Sequence, residues 1–198
     1  ATNHFAREVH MDEISVGLGI DPLAFRLNNL SHERLRCTLV AAAEAFGWET
    51  RDNSSGKGYG MAIGYGAGSF TAQIAEVTVE NQEARVDRVV VGFDCGLVVN
   101  PDGARNQIEG SIVMGMGTAL WETVEFDGGR VLNAGFARYR VPRIGDTPEI
   151  EVVVTGGDDV PSSGAGEAGI VPTAAAIATA VRDATGTAVE QLPIVPNL

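Results

Sequence analysis

One carboxylate in this sequence has an unusual setting. Glu167 lies in the run Gly164-Ala165-Gly166-Glu167-Ala168-Gly169, with small residues on both sides and no local Lys or Arg. In a tight, partly desolvated pocket a carboxylate gains proton affinity, which suits a general base. A carboxylate just before a helix is also what the helix dipole favours in open solvent. Taken locally, that second reading is the simpler one. The same run matches G-x-G-x-x-G, which could cradle a pyrophosphate in a nicotinamide-dependent dehydrogenase. That reading needs a tight turn after a strand, whereas a long loop precedes Gly164 and too little chain follows for a βαβ unit.

A second candidate lies upstream. Gln107 and Gly110 are followed by Met114, Gly115 and Gly117 on one predicted helix. Backbone amides at such glycines can approach a phosphate or a flat heterocycle. The same glycines could instead permit close helix–sheet packing, and both readings stand. Gly64, Gly66 and Gly68 read as a close strand approach or bulge. Asp94 and Asn100 read as loop residues bonding to nearby backbone.

The elements around these residues follow from periodicity. Helical spacing runs over 5–17, and Asp21-Pro22 predicts a capped helix through Leu30. Ser31 is the expected cap of a third helix, with Leu35, Leu39, Ala42, Ala43 and Phe46 on its apolar stripe and Gly47 closing it. After a polar loop over 51–58 the period becomes two. Three strands are expected before residue 94, with 80–83 as a hairpin turn. A helix follows over about 102–120, then a hairpin across 127–129 and a strand at 150–154. A helix over 173–185 and a short extended tail complete the chain. Tyr139, Arg140, Val141 and Pro142 read as the end of a surface strand. The fold class is therefore α+β, with a mixed, largely antiparallel sheet and flanking helices. Residues 1–50 form a helical part, and 57–198 the sheet and site part.

Composition narrows the functions. The 198 residues carry a formal charge of −12, so polyanions such as nucleic acid or an anionic membrane surface are repelled. Hydrophobic residues make up 44%, enough for a substantial core, and no apolar run approaches a membrane helix. Cys37 and Cys95 read as two buried free thiols. His4, His10 and His32 lack zinc-site spacing, and no residue is assigned as a metal ligand. Trp48 and Trp121 read as core or interface aromatics. The chain opens Ala1-Thr2-Asn3-His4-Phe5, already helical, and reads as a piece of something longer.

Five segments, in order, resemble the molybdopterin-binding large subunits of the xanthine dehydrogenase and aldehyde oxidase family. They are Phe5-Ala6-Arg7-Glu8 with Met11-Asp12-Glu13, then Asp21-Pro22-Leu23-Ala24-Phe25-Arg26-Leu27-Asn28-Asn29-Leu30. Asp94-Cys95-Gly96 with Val99-Asn100-Pro101-Asp102 comes next, then Gln107-Ile108-Glu109-Gly110 leading to Gly115-Met116-Gly117. Gly166-Glu167-Ala168-Gly169 is the last. The likeness runs most toward the beta chains of isoquinoline 1-oxidoreductases. Two positions depart from common patterns: Met114 stands where many relatives have glutamine, and Ala168 where proline is common.

The resemblance implies the C-terminal portion of a molybdopterin-binding subunit. In such an enzyme an aldehyde or N-heterocycle is oxidised with water-derived oxygen, and Glu167 would act as base toward the molybdenum-bound hydroxide or water. Gln107, Gly110, Met114, Gly115, Gly117, Gly164, Ala165 and Gly166 would lie on the cofactor side. The cofactor would be molybdopterin with molybdenum, in plain or cytosine-dinucleotide form. Partners would be the N-terminal part of the same subunit and a small subunit carrying iron–sulfur clusters. Other cofactor loops of the family, including a Gly-Gln-Gly type loop, have no counterpart here. The chain alone is therefore expected neither to hold cofactor nor to turn over. A non-catalytic scaffold module that kept the fold is the rival reading.

Overall fold

A computed structural model describes residues 1–194. The helices are α1 (Thr2–Gly17), α2 (Pro22–Asn29), α3 (Glu33–Phe46), α4 (Pro101–Leu120) and α5 (Ile170–Thr185). The main strands are β1 (Gly58–Gly66), β2 (Ser69–Glu80), β3 (Glu83–Asp94) and β6 (Glu149–Val154), with β4 (Phe126–Asp127) and β5 (Arg130–Val131) as a separate short hairpin. The main sheet runs β1-β2-β3-β6. Its first three strands are antiparallel, and β6 joins β3 in parallel. The α+β expectation holds.

Local chemistry explains most boundaries. Asp21 Oδ1 accepts from the amides of Leu23 at 2.9 Å and Ala24 at 3.1 Å, and Pro22 opens α2. Gly47 ends α3 with φ 78°, a left-handed cap. The cap at the start of α3 differs from expectation. It is His32, whose Nδ1 accepts from Leu35 N at 3.5 Å, because the helix begins at Glu33 and leaves Ser31 one residue short. The turn between β2 and β3 holds Asn81 (φ 52°) and Gln82 (φ 64°), a two-residue hairpin with both positions left-handed. Helix α5 starts three residues before the expected Thr173, since 170–172 already turn within it. Residues 139–142 form no strand and pair with none among the described residues.

The sheet is covered on both faces. Met61, Ile63, Ala72, Ile74 and Val90 face Leu35, Leu39, Ala42 and Phe46 of α3, with Trp48 buried beside them. Ala62, Ala75, Val89, Val91 and Phe93 face α4 and α5. This is the alternation that a period of two dictates. Two glycines set the spacing. A Cβ at Gly60 would lie 2.1 Å from Ala180 N of α5, and one at Gly92 would lie 2.0 Å from Thr38 O of α3. Both helices therefore sit directly on backbone.

Strand β1 is an edge, and α1 and α2 close it. Ile63 N donates to Glu8 Oε2 at 3.1 Å, and Arg26 Nη2 donates to Met61 O at 3.2 Å. Arg7 Nη2 reaches Ile63 O at 3.0 Å. Side chains thus replace the missing neighbour strand. Both thiols are free, but Cys37 is exposed on the outer face of α3, and only Cys95 is buried. No helix among the described residues is long and apolar enough to cross a membrane.

Candidate active site

The loop carrying Glu167 is built from below by one strand. Side chains at alternate positions of β2 point to one face, and three of them are polar and fully buried: Ser69, Thr71 and Gln73. Each donates to a carbonyl of the loop. Ser69 Oγ meets Gly164 O, Thr71 Oγ1 meets Ala168 O at 3.1 Å, and Gln73 Nε2 meets Gly169 O. Thr173 Oγ1 also donates to Gly169 O at 2.9 Å, and Gly164 N donates to Ala67 O at 3.0 Å. With these carbonyls turned inward, Glu167 is exposed, and among the described residues it has no hydrogen bond or ion pair. The sequence pattern predicts that Glu167 faces a cavity; in this chain that side is open.

A second loop braces the first. Arg34 of α3 grips Asp94 through two bonds, 2.8 Å from Nε to Oδ2 and 2.6 Å from Nη2 to Oδ1. This guanidinium holds the Asp94 carboxyl below its ordinary range, against burial that would raise it. Asp94 Oδ1 also accepts from Gly96 N at 2.8 Å, as expected of a loop-fixing residue. Gly96 is left-handed at φ 69°, and a Cβ there would lie 2.3 Å from Pro161 O. The loop then pairs with the Glu167 approach: Leu97 N donates to Val160 O at 2.9 Å, and Ser163 N to Cys95 O at 2.8 Å. Burial raises the pKa of the Cys95 thiol.

Helix α4 forms the neighbouring wall. Asn100 caps it, accepting from Gly103 N at 2.9 Å. A cleft of about 190 Å³ opens between this helix start and the loop, lined by Asn100, Gly103, Gln107, Ser162, Ser163 and Ala165 among others. Gln107 is exposed, and its Nε2 would lie 3.5 Å from a Cβ at Gly166. Gly169 packs on Ser111 so tightly that a Cβ would lie 2.0 Å from its Oγ. The structure thus brings Gln107, Gly164, Ala165, Gly166 and Glu167 together.

The rest of the α4 residues divide. A Cβ at Gly115 would strike Thr173 of α5 at 2.7 Å, and one at Gly117 would strike Glu122 and Pro142. Both glycines are buried against protein, so packing accounts for them, on a helix and a loop and not on the sheet. Gly110 has nothing within 4 Å of a Cβ, and Met114 is 64% exposed. These two lie on the solvent side. Ser69, Thr71, Gln73 and Arg34 do not stand out in the sequence. The available signal is a polar triplet at alternate positions on a face that turns apolar at Ala75. The dehydrogenase reading loses its support here, since β6 ends at Val154, well before Gly164, in a mostly antiparallel sheet.

Comparison with known proteins agrees with this architecture. The chain is 36% identical to a nicotinate dehydrogenase subunit from Pseudomonas putida, over 97% of its length and 18% of that protein. It is 31% identical to the beta chain of isoquinoline 1-oxidoreductase from Brevundimonas diminuta, over 98% of its length and 25% of that protein. It therefore spans a quarter or less of these relatives. The solved aldehyde oxidoreductase of Desulfovibrio desulfuricans shares the fold, with a TM-score of 0.85 at 17% identity over 98% of this chain and 39% of that one. The family model for the molybdopterin cofactor-binding domain matches residues 24–148. That is more than half of the sequence, and the chain belongs to the molybdopterin cofactor-binding domain family.

Proposed function

We propose that this chain is part of a molybdenum hydroxylase and that Glu167 is its general base. The single observation that carries the reading is the loop geometry. Three buried side chains fix the backbone around Glu167, while its carboxylate is left without any partner among the described residues. A carboxylate held rigidly and left unpaired is free to take a proton from a reacting group.

The residues beside Glu167 suit a pterin with a phosphate. The cleft combines apolar walls from Leu97, Val98, Val99 and Ala104 with neutral polar groups from Asn100, Gln107 and Ser162, and no charged side chain lines it. Gly166 carries no side chain beside Gln107, and a Cβ at Gly110, one helical turn further along α4, would meet nothing within 4 Å. Such a surface can bond to the edges of a flat heterocycle without introducing a competing charge. Gln107, Gly110, Met114, Gly164, Ala165 and Gly166 would line the cofactor side, with Gly115 and Gly117 setting the pitch of α4 behind them. When bound, the molybdenum–pterin group supplies the two-electron oxidation and the water-derived oxygen. Glu167 accepts the proton released at its carboxylate, and its backbone stays fixed while it does so. Electrons would leave through iron–sulfur clusters on a small partner subunit.

An N-heterocycle or aldehyde is the substrate class, in keeping with the names of the relatives. The exposure of Glu167 and Gln107, and the small share of its relatives that the chain spans, fit a site whose walls are completed by other parts of a longer subunit. The chain alone would then neither retain cofactor nor turn over. Glu167→Gln in the complete enzyme tests the central claim. Molybdenum content should stay at the wild-type level while turnover falls by at least about 10²-fold. Near-normal turnover would remove Glu167 from the mechanism. Stoichiometric molybdenum on the purified chain would refute the need for the rest of the subunit.

A further inference from the structure

We infer that Ser69, Thr71 and Gln73 are positioning residues for Glu167, a three-rung clamp on β2 that sets the direction of its carboxylate. The inference rests on the reading of Glu167 as base.

The argument starts from what each rung costs. All three side chains are 0% exposed, yet all are polar. Gln73 is the telling one. Its Nε2 bonds Gly169 O, but its Oε1 has no partner. A buried amide oxygen without a donor is a standing penalty. Structure alone gives little reason to keep it. Gly169 O already accepts from Thr173 Oγ1, so an apolar side chain of the same length at position 73 would orphan nothing. A Met there would remove the unpaired oxygen and leave the carbonyl satisfied.

What Gln73 adds is a second hold on the peptide that closes the loop. Thr71 holds the carbonyl of the preceding residue, and Ser69 holds Gly164 at the far end. The rungs stand two residues apart on one face of a strand whose register with β1 and β3 is fixed on both sides. Five residues, 164–168, are thus tied at both ends to a rigid element. Glu167 lies inside that span, next to a residue whose carbonyl is pulled inward. The preceding backbone has little freedom to turn the carboxylate elsewhere. Gly164, Gly166 and Gly169 would otherwise make this one of the more mobile stretches of the chain. The rungs counter that freedom, as precise placement of a catalytic group requires.

The test uses the complete, molybdenum-loaded enzyme with Gln73→Met, Thr71→Val and Thr71→Ser. Hydrogen exchange of peptides covering 163–169 is read beside kcat, KM and metal content. Gln73→Met and Thr71→Val should raise loop exchange about tenfold, lower kcat by about tenfold or more, and leave KM and metal content near wild type; the melting temperature should hold for Gln73→Met and fall for Thr71→Val, which orphans the buried Ala168 carbonyl. Thr71→Ser keeps the hydroxyl and should restore both exchange and kcat. Unchanged loop exchange in both Gln73→Met and Thr71→Val overturns the clamp, as does a uniform loss of stability with no change confined to the loop. Should Gln73→Met fail to assemble, Ser69→Ala takes its place in the same comparison. If loop exchange rises as expected while Glu167→Gln turns over normally, the clamp stands as a loop-holding device and the assignment of Glu167 as base falls.

Discussion

Glu8 and Arg26 form an ion pair, Nε to Oε2 at 3.2 Å, in which the residues are 1% and 2% exposed. Neither charge is left short of partners. Glu8 also accepts from Ile63 N and from Arg7 Nε, while Arg26 Nη2 donates to Glu8 O and Met61 O. The pair therefore joins α1, α2 and the exposed edge of β1. Removing Arg26 leaves the buried Glu8 carboxylate with only the part-exposed Arg7 as a charged partner, and takes a donor from the carbonyls of Pro22, Glu8 and Met61. Arg26→Ala should cost about 3–5 kcal/mol, the range for breaking a buried pair from one side. Urea unfolding followed by circular dichroism would measure it, and a loss below about 1 kcal/mol would mean that the site hydrates or repacks.

That pair also explains what was legible in the sequence. The segments around Glu8 and Arg26 resemble family hallmarks, but nothing local says that they meet across eighteen residues or that they seal a strand edge. Caps and turns were readable because their chemistry is local: Asp21 before Pro22, Gly47 at a left-handed position, and Asn81-Gln82 between two alternating runs. The parallel pairing of β6 with β3 was not, since it depends on a long connection that includes all of α4. At the site, Glu167 and the glycines around it stood out by type. The buried rungs at Ser69, Thr71 and Gln73 did not, because a polar residue in a strand ordinarily marks the solvent face. The exposure of Cys37 was missed for a similar reason: composition assigns cysteine to the interior, and only packing shows that α3 turns this one outward.

Asp21 offers a more local test. Its carboxylate caps α2, accepts from the Trp48 indole at 3.1 Å and pairs with Arg51 at 3.3 Å. Asp21→Ala should cost about 1–2 kcal/mol, near the upper end for a lost cap, because the indole loses its acceptor as well. Asp21→Asn keeps the capping oxygen and should lose less. Chemical denaturation of both variants decides between capping and charge as the source.

Asp94 makes stability depend on pH. Its folded pKa lies below its unfolded value because Arg34 stabilises the carboxylate. The folded state therefore binds fewer protons than the unfolded state, and stability rises with pH across this interval. The contribution is present above the unfolded value of 3.8 and is lost as pH falls through the depressed folded pKa. Asp12 opposes it. Burial raises its pKa despite Arg26 and Arg182, so its contribution is present at low pH and fades as pH rises through the raised value. Asp94→Asn should flatten the acid limb of a melting-temperature profile while lowering stability near neutrality. An unchanged acid limb would show that the Arg34 bond does not survive in solution.

Two glycines separate packing from cofactor contact. At Gly60 a Cβ would meet backbone of α5 at 2.1 Å, which cannot yield without moving the helix. Gly60→Ala should therefore destabilise by about 1–3 kcal/mol or more. At Gly110 there is nothing within 4 Å, and the residue lies inside α4. Gly110→Ala should stabilise the helix by about 0.5–1 kcal/mol, because alanine loses less backbone freedom on folding. If bare backbone at Gly110 meets the pterin, the same methyl group obstructs that approach. The complete enzyme should then show a higher melting temperature without cofactor and a lower molybdenum content after purification. Stabilisation with full metal content would mean that Gly110 faces open space in the assembled enzyme, and would confine the cofactor side of α4 to Gln107 and its neighbours.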